Sequence, residues 1–155
     1  MGASPTNNPI SSTRPSPMPT RATAPAASPT PEHVLPCILR AEPQLQFAVL
    51  VGSRATGKAH AGSDWDIALQ WNPAMDGMEQ LGATETLRRQ LAQALQTDID
   101  QIDLVDLRRA NLAMRASVAE EGLPLLGDDT LEWAQFLNRT WRDLEDFYWD
   151  QQHAA

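Results

Sequence analysis

The chain has 155 residues, 42% of them hydrophobic, and a formal net charge of −8; this is room for one domain with a real core and not for a second catalytic domain. Residues 1–31 contain Arg14 and Arg21 and no acid, so the rest carries −10 by subtraction, and Lys58 is the only lysine. Clustered Lys and Arg supply most non-specific nucleic-acid affinity, so direct binding of nucleic acid is disfavoured and a basic protein partner suits this surface better.

Residues 1–31 hold eight of the twelve prolines and almost no large apolar side chain. Such a segment cannot bury enough surface to offset its ordering entropy, and a disordered tail is expected. The folded core is expected over 32–127. It opens with a helix over 32–42 that turns Val34, Leu35, Ile38 and Leu39 inward and accommodates Pro36 in its first turn. Phe47 to Val51 is an apolar run ending in Gly52-Ser53, the pattern of a buried strand that breaks into a turn. Gly52 permits close approach of backbone to a ligand, and Ser53 offers a hydroxyl. Arg54 to Lys58 then opens a short helix whose first N–H groups favour anions.

After Ser53 and ten intervening residues stands Asp64-Trp65-Asp66. The stretch 63–71 reads as a strand, and strand side chains repeat every two positions, so Asp64 and Asp66 share one face. Adjacent carboxylates repel and resist burial unless a cation or a hydrogen-bond network fills the space between them, and oxygen ligands suit Mg²⁺. A helix over 78–96, with Leu81, Leu87, Leu91, Ala94 and Leu95 at helical spacing, crosses over to a strand over 102–107. Two acids lie there, Asp103 and Asp106, three apart and therefore on opposite faces, so only one joins the first pair. Asp103 is the choice, because Ile102 and Leu104 flank it while Asp106 stands at the strand's end before Arg108-Arg109.

A helix over 109–121 follows, stopped at Gly122 by a C-terminal glycine signal. The segment 128–155 forms one amphipathic helix in which Trp133, Phe136, Leu137, Trp141, Leu144, Phe147 and Tyr148 recur at three and four. This stripe packs on the chain's own sheet, forms a partner-binding surface, or does each along a different part. His33, His60 and His153 have no metal-ligand spacing, and the Arg88-Arg89 and Arg108-Arg109 pairs read as solvated helix faces. Cys37 is the sole cysteine, which excludes an internal disulfide and fits a reducing cytoplasm. Neither a membrane span nor a secretory leader is expected.

Gly-Ser, a spacer of this length, Asp-x-Asp and a third acid on a later strand together resemble the nucleotidyltransferase superfamily related to DNA polymerase beta. Within it the chain is similar to the minimal nucleotidyltransferases that act as antitoxins beside HEPN-domain toxins. Residues 50–53, 63–68, 91–95 with 102–108, and 121–126 carry the likeness. One departure is Thr56, where many relatives have Arg. The resemblance implies an α/β (α+β) fold, a small mixed sheet flanked by helices, with a C-terminal amphipathic helix. It also implies ATP as substrate and two Mg²⁺ ions, with Asp64, Asp66 and Asp103 as catalytic and metal-binding residues and Gly52, Ser53 and Arg54 on the nucleotide. The expected reaction is transfer of AMP to a tyrosine hydroxyl of a HEPN ribonuclease toxin, silencing it. The alternatives are an antitoxin that masks its toxin by binding alone, and an adenylyltransferase of a small molecule such as an aminoglycoside.

Overall fold

The structure is a computed structural model that describes residues 2–4, 15–18 and 29–154. The tail expected to be disordered, 1–31, lies for the most part outside the described residues. The elements run α1 (Pro31–Arg40), β1 (Leu45–Val51), α2 (Ser53–Thr56), β2 (Trp65–Trp71), α3 (Gly77–Ala94), a 3-10 turn (Ile99–Gln101), β3 (Ile102–Asp106), α4 (Leu112–Glu121), β4 (Leu123–Leu126) and α5 (Leu131–His153). In space the strands follow the order β3-β2-β1-β4, with β1 antiparallel to both β2 and β4. The parallel pairing of β2 with β3 needs a long crossover, and α3 supplies it. The mixed sheet flanked by helices is the architecture the sequence implies.

Burial divides the sheet into two packed faces. Ala48, Leu50, Ile67 and Leu69 meet Leu35 and Leu39 of α1 and Leu87 and Leu91 of α3 on one face. Phe47, Val49, Val51 and Ala68 meet Val118 of α4 and Phe136 of α5 on the other. Strict alternation would put Leu45 with Phe47, yet Leu45 packs with Ala48 and Leu50; the register shift between Leu45 and Phe47 changes its face. Each fully buried leucine here contributes roughly 1.5–3 kcal/mol.

Several elements differ from what their sequence suggests. Leu81 is 59% exposed, and Ala92 rather than Ala94 is buried; Leu81 projects about 120° round the helix from Leu87, off the stripe that meets the sheet. α4 starts at Leu112 because the Asn111 side chain accepts the Met114 N–H at 2.9 Å, a cap that the Arg109 start lacked. Gly122 does end α4, but with φ −67° it needs no left-handed turn. Space is the reason for glycine: a Cβ there would lie 2.4 Å from both the Val118 carbonyl oxygen and Val49 Cγ1. β4 went unread because Pro124 interrupts it; the strand lies at the sheet edge, where a missing N–H is tolerated.

α5 is capped by Thr130, whose hydroxyl donates to the Gly127 carbonyl at 2.6 Å and accepts the Trp133 N–H at 3.3 Å. Phe47, Trp133 and Phe136 then form a three-ring cluster with centroids 5.1–5.5 Å apart, within the range of favourable aromatic pairs. Arg115 of α4 and Asp143 of α5 close the seam at 2.9 Å. Beyond Leu144 the helix leaves the core, and Phe147, Tyr148 and Trp149 are 46–60% exposed. The first half of the aromatic stripe packs on the chain's own sheet, and the second half is left exposed.

Candidate active site

Three chain segments meet at one end of the sheet: the last residue of β1 with its following turn, the start of β2 and the start of β3. Val51 pairs with Asp66, and Asp66 in turn pairs with Asp103 across the parallel ladder. Register partners project to the same face, so these two carboxylates are neighbours. Asp106 pairs with Leu69, one face over. Its carboxylate is committed elsewhere, accepting from Gln80 Nε2 at 2.8 Å and from the Arg108 N–H at 3.0 Å, which makes it the anchor of the turn after β3.

Asp64 sits differently from the sequence expectation. β2 begins at Trp65, so Asp64 precedes the strand and has no partner in either ladder, and its side chain is exposed. Asp66, by contrast, is half-buried, and its carboxyl is pushed above the usual carboxylate range. Burial is the largest cause, followed by the charge of Asp103, the charge of Asp64 and a hydrogen bond shared with Asp103. Among the described residues no three acidic, His or Cys side chains are already gathered as metal ligands. The donor set is nonetheless all carboxylate oxygen, carries unrelieved like-charge repulsion at Asp66, and so fits a hard divalent cation.

Gly52 lies against this pair. Its φ of +73° belongs to the left-handed region, and a Cβ at this position would stand 2.3 Å from Asp66 Oδ2, so glycine is demanded both by conformation and by space. The Gly52 carbonyl accepts the N–H groups of Ala55 at 3.1 Å and Thr56 at 3.2 Å, closing the single turn of α2. The N–H groups of Ser53 and Arg54 head that turn without an intrahelical acceptor.

The Arg54 side chain goes another way. Its Nε and Nη2 donate to the Ser63 carbonyl at 3.2 and 2.7 Å, and its guanidinium carbon lies 3.9 Å from the centroid of the Trp65 ring. Lys58 is exposed just past Gly57. The stack on Trp65 was not legible in the sequence, because nothing in a nine-residue loop spacing signals which carbonyl an arginine will find.

The family model described as Polymerase beta, Nucleotidyltransferase matches residues 35–131, and the chain belongs to that family. It is 39% identical over 92 residues to the protein adenylyltransferase MntA of Shewanella oneidensis, covering 57% of this chain and 61% of the relative's length. A second MntA, from Aphanizomenon flos-aquae, is 30% identical over 100 residues, with 63% and 67% covered. Among solved structures, a toxin–antitoxin with AMP-PNP superposes with a TM-score of 0.61 at 30% identity, covering 79% of this chain and 94% of the other. A tri-AMPylated Shewanella oneidensis HEPN toxin in complex with its MNT antitoxin gives 0.55 at 28% identity, with 78% and 89% covered.

Proposed function

We propose that this protein is an antitoxin that transfers AMP from ATP to a tyrosine hydroxyl of a cognate HEPN-domain toxin and thereby neutralises it. The observation that carries the reading is the register match of Asp66 with Asp103 beside a glycine whose missing side chain leaves room for the Asp66 carboxylate. The matched relatives support the acceptor: they are protein adenylyltransferases, and a tri-AMPylated HEPN toxin stands among the similar structures.

In this reading Asp64, Asp66 and Asp103 hold two Mg²⁺ ions, with Asp64 completing the set from its free position ahead of β2. Bound there, the ions would neutralise charge on the attacking and leaving oxygens of an in-line displacement. Gly52 lets the β1–α2 turn come close to the triphosphate, while the Ser53 hydroxyl and the leading N–H groups of α2 orient its outer phosphates. The tyrosine oxygen forms a bond to the α-phosphorus, and the bond from that phosphorus to the pyrophosphate oxygen breaks. Asp103, half of the carboxylate pair, accepts the hydroxyl proton. The AMP added to the toxin brings negative charge that repels the phosphate backbone of RNA.

A second reading, masking by binding alone, is favoured by the exposed aromatic end of α5 and would leave the acids idle. A reducing cytoplasm is the setting that suits an ATP-consuming protein with an exposed free thiol at Cys37. Among the described residues no helix is long and apolar enough to cross a membrane.

The test incubates purified protein with its cognate HEPN toxin, ATP and magnesium, and follows the toxin's mass. Addition of AMP by the wild type, and none by Asp66→Asn, is the expected result. If the Asp64→Asn, Asp66→Asn double variant still protects cells from the toxin as well as wild type does, masking is the mechanism and transfer is incidental.

A further inference from the structure

We infer that Arg54 is a positioning residue: its guanidinium ties the entry of β2 to the turn after β1, so that the carboxylates of Asp64 and Asp66 are held opposite Gly52 and Ser53. This rests on the proposed transfer reaction for its catalytic meaning, though not for its structural content.

Four observations lead to it. Arg54 directly follows the Gly52-Ser53 turn, and its two donors converge on a single acceptor, the Ser63 carbonyl, at 2.7 and 3.2 Å. The carbon of the same guanidinium lies over the Trp65 ring, 3.9 Å from its centroid. Ser63 and Trp65 are the residues on either side of Asp64, so one side chain fixes the backbone before that acid and the ring after it. The other hydrogen bonds of residues 59–63 stay within that stretch: Ser63 N–H to the His60 carbonyl at 3.0 Å, His60 N–H to Ser63 Oγ at 2.9 Å, and Gly62 N–H to His60 Nδ1 at 3.1 Å. Arg54 is therefore what fastens this loop to the rest of the site.

The charge of Arg54 is not engaged with a carboxylate, since none of the ion pairs among the described residues includes it. What the position uses is the shape of the group: two donors converging on one carbonyl and a planar face on an aromatic ring. Lysine keeps the charge and loses both. A contact to the triphosphate would tolerate lysine far better, because a phosphate also accepts an ammonium as a point charge. The two roles are separable by one conservative substitution.

The experiment compares wild type, Arg54→Lys and Arg54→Ala. Hydrogen exchange of the amides at 64–66, measured without nucleotide or metal, is expected to quicken by about tenfold in both variants as the start of β2 frays. In the transfer assay, kcat at saturating ATP is expected to fall about 10- to 100-fold in both, with the KM for ATP within roughly threefold of wild type, as a displaced catalytic group requires. Exchange unchanged in both variants overturns the inference, and so does a raised KM for ATP that Arg54→Lys restores, which would make Arg54 a phosphate contact. Should the wild type transfer no AMP, the proposed reaction fails, and the exchange measurement still decides the role of Arg54. Should Arg54→Ala not fold, Arg54→Lys carries the same comparison.

Discussion

Oδ2 of Asp66 fills the space in which a β-carbon on Gly52 would have to lie, 2.3 Å away. Gly52→Ala must therefore either displace the carboxylate or distort a turn that already has positive φ. The expected outcome is loss of about 2 kcal/mol of stability from the conformation alone, read by urea denaturation, together with a fall in AMP transfer of about a hundredfold or more.

Asp66→Asn is expected to separate stability from function. Burial and the charges of Asp103 and Asp64 raise the Asp66 pKa in the folded protein above its unfolded value. The folded state thus binds this proton more tightly than the unfolded chain does, and the charged group is a penalty above the folded pKa that disappears as pH falls below the unfolded one. Thermal melts without metal should show the Asp66→Asn variant more stable than wild type at neutral pH, with the difference closing on acidification. Magnesium and ATP together should raise the wild-type Tm by mass action and leave the variant unmoved, and chelating the metal should abolish the wild-type rise.

Thr140 is buried completely, and its hydroxyl is the one buried side-chain polar atom without a hydrogen-bond partner among the described residues. Thr140→Val keeps the shape and removes the unpaired group. A gain of about 1 kcal/mol in denaturant stability is expected, with AMP transfer unchanged.

The two halves of α5 should respond in opposite ways. Phe136→Ala removes a 3% exposed ring from the cluster with Phe47 and Trp133, at a cost of about 3–5 kcal/mol. Phe147→Ala, at a 46% exposed position, should shift stability by no more than about 0.5 kcal/mol. If the exposed end docks the toxin, the same substitution weakens the complex, which calorimetric titration with the partner would measure.

How far the sequence could be read follows the range of each signal. β1, its turn and the choice of Asp103 over Asp106 were legible, because strand alternation and a chemical motif act locally and agree. The inward face of α3 was only partly legible: Leu81 fits helical spacing, yet the width of the sheet decides how much of the helix is covered. Asp64 was assigned to a strand that starts one residue later, since pairing with β1 and β3 sets that boundary and neither partner is visible from residue 64. The resemblance that puts Arg54 on the nucleotide says nothing of its carbonyl acceptor or its ring, which folding of the loop supplies.

Pro124 has a last consequence. One rim of the sheet is a four-residue segment interrupted by an imino acid, too short and too poor in donors for a foreign peptide to extend it. A partner that approaches on that side must be held by side chains, and the molecule is guarded on that flank against stacking into fibrils.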